Sequence, residues 1–193
     1  AANAVTTVSS WHQQLLSQWN SNTHLIYNGY DATTFYPQDI PSHTFDITFI
    51  GKYYAHYAEC PTLLFAALKA LIEEKSINKS HITVHFYTNA MGQKAFAELA
   101  AQYSISEIVQ VSSYIPREHI VPIMHQSSIM MVLTTSAKQH DTHGIMGTKF
   151  YEILGIEKPC LCLTSDEECL AHAIQKTHAG LAATNVEEVK AFI

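Results

Sequence analysis

The chain has 193 residues, 47% of them hydrophobic and 15% charged, which allows one domain with a real core and describes an ordinary globular protein. A formal charge of −6 argues against nucleic acid as a partner, since phosphate backbones want a basic face. No apolar run is long enough to span a bilayer, and none reads as a signal peptide.

Four cysteines show no zinc-type spacing. They read as buried structural thiols of a reducing compartment, so a cytoplasmic setting is expected, with peripheral attachment to the inner face of the membrane left open.

Residues 4–10 read as a strand running into a turn, and residues 11–16 as a short helix. Neither has an evident partner. Leu25, Ile26 and Tyr27 form a brief apolar strand, ended by Asn28-Gly29, a strong turn signal. Residues 33–42 are polar and contain Pro37 and Pro41, the pattern of a linker. The chain therefore divides into residues 1–42 and a main domain over 43–193.

From Phe45 the pattern becomes regular. Strands are expected over residues 45–50, 82–87, 107–111, 129–133, 160–163 and 180–183. Between them lie helical patterns. Pro61 opens the first, where its missing N–H costs little, and Leu64, Leu68, Leu71 and Ile72 then recur at helical spacing. The others cover residues 92–103, the segment opened by Pro116, a short helix after Gly147, residues 165–176, and a last helix capped by Asn185. Ser165 and Glu168 fit a capping box, with Ser165 as the cap and Glu168 reaching back. Alternating strands and helices at this pitch mean an α/β fold: a doubly wound, Rossmann-like parallel sheet with helices on both faces. Ligands of such sheets bind beyond the carboxyl ends of the strands, here in the loops at 51–52, 87–88, 112–116 and 134–147.

One stretch, residues 144–159, carries chemistry. Gly147 lets the backbone approach a ligand, and a helix starting there aims free N–H groups at it, which suits phosphate. Lys149 and Glu152 are three apart and share a helix face. A cation near phosphate and a carboxylate near a sugar diol are what a nucleotide needs; an exposed salt bridge beside a loop glycine accounts for the same residues. Lys52 reads either as a solvated loop lysine or as a phosphate ligand after a strand-ending glycine. His140-Asp141-Thr142-His143 invites a metal reading, but two histidines and an aspartate on one loop do not make a ligand set. The aromatic run from Tyr53 to Tyr57 reads as a surface that packs on a preceding domain or faces an acceptor, the former being preferred.

These residues resemble the C-terminal, donor-binding domain of GT-B glycosyltransferases, most closely glycosyltransferase family 4, over nearly the whole chain. Asn28-Gly29-Tyr30-Asp31 is similar to the family's turn between its two domains. Gly51-Lys52 resembles the glycine loop whose basic residue meets the diphosphate, and Tyr114-Ile115 the loop that contacts the base. Gly147, Thr148, Lys149, Glu152 and Lys158-Pro159 fall in the family's glycine, acidic and Lys-Pro region. In its Glu-x7-Glu pattern the second glutamate binds ribose, and Glu152 holds that place. The first is replaced here by Gly144, which leaves the donor sugar open and makes His140 and His143 alternative sugar contacts.

The resemblance implies a retaining transferase. It would move a hexosyl group from a nucleotide-diphosphate sugar to a sugar or lipid-linked acceptor, in cell-surface polysaccharide or glycoconjugate synthesis. The donor is a substrate, and no cofactor or metal is implied. The resemblance also implies a missing N-terminal domain, so the chain alone is expected to fold but not to turn over. The other readings are a non-catalytic nucleotide-binding module and a GT-B nucleotide-sugar epimerase.

Overall fold

The computed structural model of the chain describes residues 2–42, 44–54, 61–136 and 141–193. Among these residues two parallel sheets are present. The small one pairs β1 (Val5–Thr7) with β2 (Thr23–Leu25) across helix α1 (Ser10–Ser17). The strand and helix near the start are thus partners, contrary to the expectation that they had none. The second strand also lies two residues earlier than its apolar residues suggested. Register decides this: Val5 pairs with Thr23 and Thr7 with Leu25, which leaves Ile26 and Tyr27 beyond the ladder and exposed.

The large sheet contains β3 (Phe45–Ile50), β4 (Ile82–Tyr87), β5 (Val109–Ser112), β6 (Ile129–Leu133), β7 (Cys160–Leu163) and β8 (Gly180–Ala182). Its order is β5-β4-β3-β6-β7-β8, all parallel. The chain starts in the middle, winds outward one way, then returns to the middle and winds the other way. The reversal falls between β3 and β6, which is where an open α/β sheet leaves a crevice at its carboxyl edge.

Side-chain alternation divides the core in two. Ile47 and Phe49 of β3, with Val84 and Phe86 of β4, face α2 (Thr62–Glu73), α3 (Ala90–Gln102) and α7 (Val186–Phe192). Ile50, Met130, Cys160 and Cys162 face α4 (Arg117–Gln126), α5 (Thr148–Gly155) and α6 (Cys169–Thr177). Strands β6 and β7 are almost wholly buried, as central parallel strands must be. Burial pushes the Cys160 thiol up to about 12, so it is inert at neutral pH. Cys162 is also buried and forms no disulfide, and its Sγ donates to the Thr164 carbonyl at 4.0 Å, which fits the structural reading of this pair. Cys60 lies outside the described residues. No helix among the described residues is long and apolar enough to cross a membrane.

The expected linker has no regular secondary structure, yet it is docked. Phe35 packs on the α4–α6 side of the core, and the buried His125 of α4 donates from Nε2 to the Tyr36 carbonyl at 2.7 Å. The Tyr30 ring covers Gly155 so closely that a Cβ there would stand 2.5 Å from it.

One expectation fails at α6. The helix starts at Cys169, not near Ser165. The N-cap position is Glu168, but its own side chain does not cap; the Asp166 carboxylate does this instead, accepting from the N–H groups of Glu168, Leu170 and Ala171 at 2.9–3.1 Å. Ser165 Oγ accepts only from Glu167 N–H. Glu168 does not reach back. Asp166 is short, nearly buried and already aimed at the first turn, so the longer Glu168 is released toward the preceding loop. At α7 the cap behaves as expected, with the Asn185 side chain accepting from Glu188 N–H at 3.0 Å.

Candidate functional site

The loops after β3 and β6 leave the sheet side by side at the reversal point. Gly51 continues the ladder, donating to the Tyr87 carbonyl at 3.1 Å, and its missing side chain leaves room for the Phe49 ring. Lys52 is exposed and makes no ion pair with a described residue; its Nζ sits 5.1 Å above the Tyr54 ring. An exposed contact of this kind is weak, roughly 0.5–1 kcal/mol, so the ammonium can turn to an anion at little cost.

Asn89 holds this loop in place, a role its sequence context did not reveal. Its Oδ1 accepts from Tyr53 N–H at 3.1 Å, and its Nδ2 donates to the Tyr53 carbonyl at 3.4 Å. The aromatic run begins differently from expectation. Tyr53 is buried edge-on to Phe96 within its own domain, while Tyr54 is exposed; residues 55–57 lie outside the described residues.

Across the reversal point stands α5. Gly147 is its N-cap, with no side-chain hydrogen bond to the first turn, and that turn contains no acidic residue. A Cβ at Gly147 would meet no described atom within 4 Å, and the backbone there is ordinary extended chain. Packing among the described residues therefore does not demand this glycine. What remains is an open approach to uncapped N–H groups, including that of Thr148 at the first helical position, where the helix dipole also favours an anion. One turn in, Lys149 Nζ donates to Glu152 Oε2 at 2.6 Å, with both side chains partly exposed. The other oxygen of Glu152 makes no hydrogen bond to a described residue.

The loop after β5 lies two strands away. Tyr114 is exposed, while Ile115 packs into the same core cluster as Phe150 and Ile153 of α5. Of the base-contacting candidates, Ile115 thus lies on the α5 side of the sheet. Lys158 and Pro159 do not. They precede β7 at the opposite, amino edge, where they line a cleft of about 510 Å³ with Leu154 and Ala179. The Pro159 carbonyl accepts from Met130 N–H at 2.9 Å, which is a structural role.

Gly144 is required by its surroundings. Its φ is +66°, and a Cβ would stand 2.7 Å from Ser9 Oγ and His12 Nδ1. A glutamate could not occupy this position with α1 where it is. His143 is engaged as well: it stacks on Trp11 and donates from Nδ1 to Glu168 at 2.7 Å. His140 lies outside the described residues. The Asn28 side chain ties the Asn-Gly turn to this loop, donating to the Met146 carbonyl at 3.2 Å.

No family model matches the chain. No curated protein matches it either. Solved structures do. A glycosyltransferase from Rickettsia africae superposes with a TM-score of 0.74 at 15% identity, over 97% of this chain and 51% of that one. HepE of Anabaena in complex with UDP gives 0.72 at 15% identity, over 98% and 52%. TarM of S. aureus, in a complex that includes UDP, gives 0.71 at 12% identity, over 98% and 36%. The chain spans about half the length of the first two and about a third of TarM. Its fold is that of one Rossmann-like half of a GT-B glycosyltransferase, consistent with the C-terminal half.

Proposed function

We propose that this chain is the donor-binding half of a retaining GT-B glycosyltransferase resembling family 4, and that it holds a nucleotide-diphosphate sugar, with UDP as the first nucleotide to test. The observation that carries the reading is α5. An uncapped helix start behind Gly147, followed by a Lys149–Glu152 pair, stands at the sheet reversal. The fold supports it, because the similar HepE and TarM structures contain UDP.

In this reading the diphosphate lies against the first N–H groups of α5, from Thr148 onward, and against Lys52 and Lys149. Glu152 accepts from the ribose hydroxyls, and Tyr114 and Ile115 border the base. The reaction breaks the bond between the anomeric carbon and the diphosphate oxygen. It forms a bond from that carbon to an acceptor oxygen on the same face, and the acceptor proton leaves. The protein's contribution is electrostatic, neutralising charge as it develops on the departing diphosphate. The acceptor is a sugar or a lipid-linked sugar, met across a cleft whose other wall is a preceding domain formed in part by residues before 42. Donor and acceptor are substrates, and the reading assigns no cofactor or metal. The setting is the cytoplasm.

A thermal-shift series tests this. UDP or a UDP-sugar at about 100 times its Kd is expected to add roughly 2.7 kcal/mol of stability, while uridine at the same concentration adds little. Equal shifts from UDP and uridine, or no shift from any nucleotide diphosphate, would overturn the reading.

A further inference from the structure

The loop from residue 141 to 147 is fixed from three sides by contacts that the phosphate and ribose assignments do not use. From α1, the Trp11 ring lies flat on His143, with centroids 4.9 Å apart and planes 4° apart. From the start of α6, Glu168 spans the loop: Oε1 accepts from His143 Nδ1 at 2.7 Å and Oε2 from Gly144 N–H at 3.4 Å. From below, Ser9 and His12 close on Gly144 and leave no room for a side chain. His143 and Glu168 are 28% and 26% exposed, so water screens them less than a surface pair, and a charge-assisted bond of this kind is among the stronger ones.

We infer that the His143–Glu168 pair, seated on Trp11, is a positioning clamp that holds residues 141–147 in the shape that presents Gly147 and the uncapped start of α5 to a diphosphate. The inference rests on the nucleotide reading above and adds a dependence on pH to it. Among the described residues, the charged groups facing His143 are Glu168 from α6 and Asp141 from its own loop, whose Oδ1 is 3.4 Å from Nε2. The other titratable groups nearby are His12, edge-on to Trp11 and bonded to Ser9 at 2.8 Å, and Cys169, whose Sγ is 3.4 Å from Ser10 Oγ. The hydrogen bond to Glu168 holds the imidazolium, raising His143 above the ordinary 6.5 against a smaller effect of lost hydration; Asp141 adds to the rise. A value raised by folding means that the clamp is complete below pH 6.5 and is lost as pH climbs through the folded value.

The test follows the Gly144 amide and the His143 ring by NMR across that range, alongside calorimetric titration of UDP-glucose, whose diphosphate keeps its charge there. In the wild type, Gly144 protection should fall in step with His143 deprotonation, and UDP-glucose affinity should fall severalfold over the same step. Glu168→Gln keeps the shape and an acceptor but removes the charge. It should return the His143 titration toward 6.5 and move both steps with it, whereas Asp141→Asn, at a fully exposed carboxylate, should leave them nearly in place. UDP-glucose binding with no pH step, or a step that Glu168→Gln leaves where it was, would overturn the clamp alone. No UDP-glucose binding at any pH would overturn the nucleotide reading, and the clamp's role with it.

Discussion

Replacing Phe86 by alanine is expected to remove about 3–5 kcal/mol of stability. Phe86 is wholly buried in β4, and three rings surround it: Phe96 at 4.3 Å, Phe65 at 5.9 Å and Phe49 at 6.0 Å between centroids. Those rings belong to α3, α2 and β3, so the side chain joins three elements on one face of the sheet. They cannot all close on the gap, because each is held by its own backbone. Domains of this kind have a total stability of only about 5–15 kcal/mol, so the loss is a large fraction of the whole. Urea or thermal unfolding followed by circular dichroism would read it, as a fall in Tm of roughly 6–20 °C. A fall of less than about 2 °C would mean that this face is not the rigid core described.

Lys52→Ala is expected to weaken UDP binding about tenfold or more while leaving uridine binding nearly unchanged. A charge-assisted hydrogen bond is worth roughly 1.5–3 kcal/mol, and about 1.4 kcal/mol is tenfold. The structure sharpens the expectation. Lys52 forms no ion pair with a described residue, and its ammonium rests on the face of Tyr54. Unliganded stability should therefore hardly move. Equal losses for UDP and uridine would place the lysine's effect elsewhere.

The strands of the large sheet were legible because their signal is local. Strand runs of apolar and β-branched residues over 45–50, 82–87, 129–133 and 160–163 coincide with the observed β3, β4, β6 and β7. Gly147, Lys149 and Glu152 were legible for the same reason: spacing alone puts the last two on one helical face, and they do meet. What the sequence hid depends on contacts between distant segments. Ser165 fits a cap on paper, but the helix starts only at Cys169, and it is the Asp166 carboxylate that reaches the N–H groups of Leu170 and Ala171. Once Glu168 is freed, its partner is His143, and the surface that His143 lies on is Trp11. No periodicity links those residues. The absence of a glutamate at position 144 was visible at once, but its cause, the crowding by Ser9 and His12, needs the docked position of α1.

The central claim is that α5 reads a ribonucleoside diphosphate, and Glu152 is where it is most exposed to test. Without ligand, Glu152 pairs with Lys149 at 2.6 Å within one helix, a contact that contributes only about 0.3–0.5 kcal/mol in exposed settings. A carboxylate accepts from two ribose hydroxyls at once, which a carboxamide does less well. The measurement is calorimetric titration of UDP and 2′-deoxy-UDP into the wild type and into Glu152→Gln. The wild type is expected to prefer UDP by about tenfold, the worth of one charge-assisted hydrogen bond. Glu152→Gln is expected to erase most of that preference, with the unliganded Tm almost unmoved. Equal binding of the two nucleotides by the wild type, or an undiminished preference in Glu152→Gln, would contradict it.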